Sequence, residues 1–261
     1  MGIGKVSSLA VASLSKVSSL AKLSIGKISS VTASFAAVFA DSYSMNFDGT
    51  NDYITADGAA SEISGDRGSV SLWAKLETYP YTETMFWLTT SEDASGVNNY
   101  VWLFYHGGTN QTRLQHKGGG VEGTCIATTA VENNGWHHYA LTWNTGGDTI
   151  TQVYIDGSSV GTAEGTTSMA FEEEGINTVH IGTKDGSNNP WLGHINDFAL
   201  FDDVLTSGEV SAIYNSGAPT DISSHSGLVA YWKRENNADD SSSNSNSITL
   251  VNGAAYSSDT P

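Results

Sequence analysis

Between Trp136 and Trp143 the chain changes character at every residue. Trp136, His138, Ala140 and Thr142 fall on one side; His137, Tyr139, Leu141 and Trp143 fall on the other. A period of two is useful only in a strand, because successive side chains leave a strand on opposite faces. Asn144-Thr145-Gly146-Gly147-Asp148 follows, a run of residues that tolerate turn conformations. A second strand is then expected, with Val153 and Ile155 opposite Gln152 and Tyr154, closed by the Asp156-Gly157 turn. Large residues on both faces predict a strand covered on both sides, as in the middle of a sandwich. A chain built around this stretch is a β protein.

The rest of residues 44–217 carries the same texture. Met45–Ile54 reads as strand, turn, strand. Val70, Leu72, Ala74 and Leu76 alternate with Ser71, Trp73 and Lys75. Further strands are expected at 85–89, 100–105, 113–117, 124–127, 178–182 and 193–201, and the 100–105 strand (YVWLFY) is apolar on both faces. One helix is expected at 206–215. Thr206 is its N-cap, Glu209 completes a capping box, Val210, Ile213 and Tyr214 form the apolar stripe, and Gly217 is the stop. After a linker at 218–226, strands are expected at 227–233 and 248–251. Two strands cannot make a domain alone, so these must join the sandwich or a neighbour's.

Composition agrees with turns and sheets. Gly is abundant at 28, Pro scarce at 4, and 39% hydrophobic residues with seven Trp provide a core. The single cysteine, Cys125, excludes an internal disulfide and any cysteine-based metal site. No apolar run approaches the length of a membrane span. The net charge is −17. Residues 1–40 hold four lysines and no acid, which leaves 7 basic against 28 acidic residues, or −21, on the rest. A body this acidic repels phosphates and argues against a nucleic-acid partner.

Residues 5–37 repeat with a period of 11: KVSSLAVASLS, KVSSLAKLSIG, KISSVTASFAA. Lys5, Lys16 and Lys27 mark the register. An 11-residue apolar period suits helices with a right-handed supercoil. The paired serines and β-branched residues are poor helix formers, and Leu9/Val11 and Leu23/Ile25 alternate as in strands. In neither form could one copy bury its apolar side, so residues 1–43 are expected to form an arm that oligomerises. Val31–Ala40 ends like a secretory leader, but Lys16, Lys22 and Lys27 interrupt the apolar region such a leader needs.

Six pieces in order resemble the laminin G-like, concanavalin A-like jelly-roll family: FDGTNDYI (47–54), SVSLWAKL (69–76), GWHHYALTW (135–143), VYIDGSSVG (153–161), HIGTKDG (180–186) and GHINDFALFDDVLTSGEVSAIYNSG (193–217). The resemblance implies an all-β, two-sheet jelly-roll sandwich. The tail, 228–261, looks like the segment that usually opens such a domain, which implies circular permutation, with 218–261 completing the jelly roll of 44–217. The Lys/Ser repeat fused to a jelly roll resembles virion proteins of tailed phages. That implies a non-enzymatic fibre or decoration protein on the particle, homo-oligomeric through residues 1–43 (three copies for a fibre) and in contact with other virion proteins.

Family resemblance also implies a calcium site at Asp48, Asn51, Asp52 and Asp197, since hard cations take oxygen ligands of this kind. It implies host-surface glycan stacked on exposed aromatic residues, for which Trp73, Tyr154, His180 and Trp191 are the candidates. No catalytic motif is present. Glu172-Glu173-Glu174 are contiguous and point in different directions, whereas glycan hydrolysis needs two carboxylates facing one cleft. His137 and His138 face opposite sides of a strand and cannot share a metal. Two alternatives stay open: a structural capsid or tail protein without a ligand, and a depolymerase of envelope polysaccharide.

Overall fold

The computed structural model describes residues 41–63, 67–77, 81–89, 99–118, 121–127, 135–144, 151–164, 176–233 and 236–261. The repeat at 5–37, the Asn144–Asp148 turn beyond Asn144, and Glu172–Glu174 lie outside them.

The chain is an all-β jelly roll of two antiparallel sheets. In chain order the strands are β1 (Ser44–Asp48), β2 (Tyr53–Thr55), β3 (Arg67–Leu76), β4 (Thr82–Thr89), β5 (Tyr100–His106), β6 (Gln111–Gly118), β7 (Val121–Ala127), β8 (Trp136–Asn144), β9 (Gln152–Ile155) and β10 (Ser158–Ser159). They continue as β11 (Gly161–Glu164), β12 (Thr178–Ile181), β13 (Leu192–Phe201), β14 (Leu228–Trp232), β15 (Thr249–Val251) and β16 (Ala255–Ser257). A short 3-10 helix spans Asp57–Glu62, and α1 spans Ser207–Tyr214. The first sheet runs β10-β9-β8-β3-β13-β1-β16, with β14 also on β13. The second runs β11-β7-β6-β5-β4-β12-β2-β15.

Alternation places the core where the sequence predicts. Val70, Leu72, Ala74 and Leu76 of β3 and Tyr139, Leu141 and Trp143 of β8 point between the sheets. Val153 and Ile155 join them, opposite Tyr154. Trp143 is fully buried, and Gly68 makes room for it: a Cβ there would stand 2.4 Å from the indole. Truncating a ring so enclosed costs about 3–5 kcal/mol.

The cover on the second face of β8 is not another sheet. It is α1. Thr206 caps this helix and forms the capping box with Glu209: the Glu209 amide donates to Thr206 Oγ1 at 3.2 Å and the Thr206 amide to Glu209 Oε2 at 2.7 Å. Val210 and Ile213 then pack on Ala140, Tyr154, Ala199, Phe201 and Tyr231, the outward residues of the first sheet. Asn215, in the left-handed conformation, ends the helix two residues before Gly217.

Two features position the site. The FDGTNDYI segment is no hairpin: β1 lies in the first sheet and β2 in the second, so its turn crosses between them. The C-terminal strands pair within the same chain: β14 with β13, β15 with β2 and β16 with β1.

Candidate functional site

Where the two sheets part, beside the β1–β2 turn, lies a cleft of about 480 Å³. The end of β1 supplies Asp48 and Gly49, the start of β4 supplies Thr82 and Glu83 with Tyr81 before it, and the approach to β13 supplies Asn189, Pro190 and Leu192.

Local hydrogen bonds fix each wall. Asp48 Oδ1 accepts the Thr50 amide at 2.8 Å, and Asp52 Oδ2 accepts the Asp48 amide at 3.0 Å. Asp52 Oδ1 accepts the Gly253 amide at 2.7 Å, which ties this turn to the one between β15 and β16. Gly49 has φ of +75°, and a Cβ on it would lie 2.9 Å from Leu192. Only glycine meets both demands cheaply. On the opposite wall the Thr84 amide donates to the Asn189 carbonyl at 2.8 Å, and Asn189 Nδ2 donates to the Thr82 carbonyl at 3.0 Å.

Glu83 bridges the sheets. Its Oε2 accepts the Leu192 amide at 2.9 Å. The residue is 3% exposed. Burial pushes its pKa up from 4.5 to about 7, against the opposing pull of the Leu192 amide. Among the described residues Glu83 Oε1 has no hydrogen-bond or ion-pair partner. Tyr81 is 73% exposed and is the one exposed large apolar side chain among the described residues. A buried carboxylate with a free oxygen and an open aromatic ring therefore share one cleft.

Of the residues singled out from sequence, the structure brings only Asp48 to this cleft. The proposed calcium ligands do not form one set. Asp48 sits opposite Leu192 in the β1–β13 register, and Asp197 lies five residues farther along β13, roughly 16 Å away at strand rise. Asp52 is buried and bonded to two amides, and the Asn51 carbonyl accepts Asn252 Nδ2. Asp197, at φ of +47°, occupies the β13 bulge and accepts the Tyr231 hydroxyl at 3.0 Å. Among the described residues no three His, Cys, Asp or Glu side chains group to hold a metal. Asp197 therefore shares no site with Asp48, Asn51 and Asp52, and the four do not make one set of ligands for a calcium ion.

Neither are the four aromatic candidates open, which corrects the expectation of exposed rings. Trp73 stacks beneath Tyr214 of α1 at 5.8 Å and Tyr154 packs under the same helix. Trp191 is fully buried in the core. His180 is 6% exposed and lies 5.1 Å from the Tyr53 ring. A helix whose sequence lies far along the chain covers two of these rings, and local alternation carries no sign of it. Tyr81 and Glu83 were missed because the β4 strand was expected to begin at Met85; the signal available was an acid, Glu83, set at strand spacing before an apolar run.

Two other constellations are framework. Ser71 Oγ and His138 Nε2 are 2.8 Å apart, a nucleophile–base distance, but both residues are buried. Among the described residues His138 Nδ1 has no partner, so no carboxylate there orients the ring as nucleophilic catalysis requires. On the outer face of the second sheet, Trp87, Tyr100, Trp102 and Phe104 form a small core of their own. Trp102 and Phe104 stack at 3.9 Å and Lys184 lies over Trp87 and Trp102, so the rings spend their faces on each other and on the lysine.

Residues 48–211 match the family model described as the concanavalin A-like lectin/glucanases superfamily. The chain belongs to that superfamily. Its matched segment starts at Asp48 of the cleft and ends within α1, so β14 to β16 lie beyond it. A comparison with curated proteins gave no match.

Among solved structures the superfamily fold recurs at low identity. A heptameric SAP-like pentraxin from Limulus polyphemus superposes with a TM-score of 0.59 at 16% identity, over 83% of this chain and 94% of that one. The CBM40 of the Ruminococcus gnavus IT-sialidase, also solved with α2,3 sialyllactose, gives 0.56 at 15% identity, over 66% of this chain and 96% of that one. A candidate carbohydrate-binding protein from Bacteroides ovatus gives 0.57 at 15% identity over 83% of this chain, which spans 60% of that protein. These likenesses establish the fold.

Proposed function

We propose that this protein is a non-enzymatic glycan-binding module and that the cleft at the parting of the sheets is its binding site. One observation carries the reading: Tyr81, open to solvent, stands on a cleft whose other walls offer Asp48, Glu83 and Asn189. Sugars are bound by such a combination, an aromatic face for the ring's C–H surface and fixed polar groups for its substituents. The CBM40 relative solved with sialyllactose supports glycan as the ligand class. The reading extends to a virion appendage held by an oligomeric arm, supported by the 11-residue repeat and its resemblance to phage proteins.

A glycan array probed with the full chain tests the binding. Tyr81→Ala is expected to lose the array signal while keeping the melting temperature. Reducing-end release from bound glycans is expected to stay at background. A silent array with the unaltered chain overturns the proposal. Release of reducing ends favours the depolymerase alternative. The mass of the assembly with and without residues 1–43 tests the arm.

A further inference from the structure

We infer that the cleft selects a sugar residue bearing a free amine over neutral and acidic sugars. This inference rests on the glycan-binding reading and adds the ligand's charge class to it.

Among the described residues the cleft is lined by two carboxylates, Asp48 and Glu83, and by no lysine, arginine or histidine. Asp48 is exposed and its Oδ1 is occupied by the Thr50 amide. Glu83 is the group that decides. It is buried, one oxygen is satisfied by Leu192, and the other has no partner among the described residues. A buried carboxylate with an open oxygen asks for a donor, and for a positive one if it is to stay ionised. A hydroxyl supplies one proton and no charge. A sugar ammonium supplies three donors and a charge, and charge-assisted bonds are roughly twice as strong as neutral ones.

Other features point the same way. Burial lifts Glu83 to about 7, so a cation arriving beside it recovers the ionisation that the empty cleft opposes. The Tyr81 ring attracts a cation through its π face as well as stacking on a sugar. A net charge of −17 draws cationic ligands and repels acidic ones. A volume of about 480 Å³ falls in the usual range for small-molecule sites, about 300–1,000 Å³.

Titration calorimetry on the full chain near neutral pH tests it with three probes: a β-1,4-linked glucosamine tetramer, its N-acetylated counterpart and α2,3-sialyllactose. The amine-bearing tetramer is expected to bind about tenfold tighter than the acetylated one, the difference one charge-assisted bond makes, with sialyllactose weakest. Glu83→Gln is expected to bring the two tetramers to equal affinity at an unchanged fold, checked by its melting curve. Equal or tighter binding of the acetylated tetramer or of sialyllactose overturns the inference and leaves the glycan reading in place. So does an amine preference that survives in Glu83→Gln. Silence of all three probes together with a silent glycan array overturns both.

Discussion

The Glu83 carboxylate and the Leu192 amide meet at 2.9 Å and join the start of β4 in one sheet to the start of β13 in the other. The bond closes the mouth of the sandwich with a group that burial has made a weak acid. In the folded state Glu83 holds its proton to about pH 7, whereas in the unfolded chain it releases it near 4.5. The folded state therefore binds the extra proton between those values. Stability from this group is full below 4.5 and is lost as pH rises through 7, by up to about 3 kcal/mol and less where water enters the cleft. Glu83→Gln keeps an acceptor for Leu192 and removes the titration. Its melting temperature should exceed that of the unaltered protein above pH 7 and match it near pH 4.5, read by thermal unfolding across pH. Curves that stay parallel would remove Glu83 as a buried acid.

His138 works in the opposite direction. Burial beneath α1 lowers its pKa to about 4, with Asp156 pulling the other way. The unfolded chain takes up the proton near 6.5. Stability from the neutral ring is full above 6.5 and is lost as pH falls through 4. The two windows overlap, so the unaltered protein should show a shallow pH profile where Glu83→Gln shows a clear fall toward acid. An imidazole resonance of His138 that titrates above pH 6 would contradict the burial.

Asp52 is a structural carboxylate. It accepts the Asp48 and Gly253 amides and locks the β1–β2 turn to the C-terminal strands. Asp52→Ala leaves both donors without their partner and should cost about 2–4 kcal/mol, seen as a lowered denaturant midpoint. Chelation of divalent cations from the unaltered protein should leave the melting temperature where it was. A fall on chelation would restore a metal to this turn.

Residues 227–261 complete both sheets. Trp232 is buried in the core and donates to the Asn246 carbonyl at 2.8 Å. Asp259 holds Lys75 at 2.6 Å and the Trp136 indole at 2.9 Å. Removal of this segment strips β14, β15 and β16 from their partners, and the truncated chain should show no cooperative unfolding transition by calorimetry. Retention of the original melting temperature would mean that the sandwich closes without them.

Local pattern made the scaffold legible. Tyr139, Leu141 and Trp143 could be assigned to one face of β8 because a strand has a period of two, and Thr206 with Glu209 announced α1 three residues at a time. The site was legible only at Asp48, where turn chemistry is local. The alternation of Trp73 and Tyr154 says that they leave the core face, not what lies above it; α1 covers both. Glu83 stayed hidden for a related reason. Its partner, Leu192, is 109 residues away, and burial by so remote a segment leaves no trace in the neighbouring residues.

The crossing of the β1–β2 segment from one sheet to the other has a consequence for how the molecule is made. β1 pairs with β13 and β16, and β2 with β12 and β15, all of them far later in the chain. On the ribosome both strands emerge without a mate and wait with their edges bare until β12, β13, β15 and β16 have been made. Loops this long close slowly and leave unpaired strands open to aggregation.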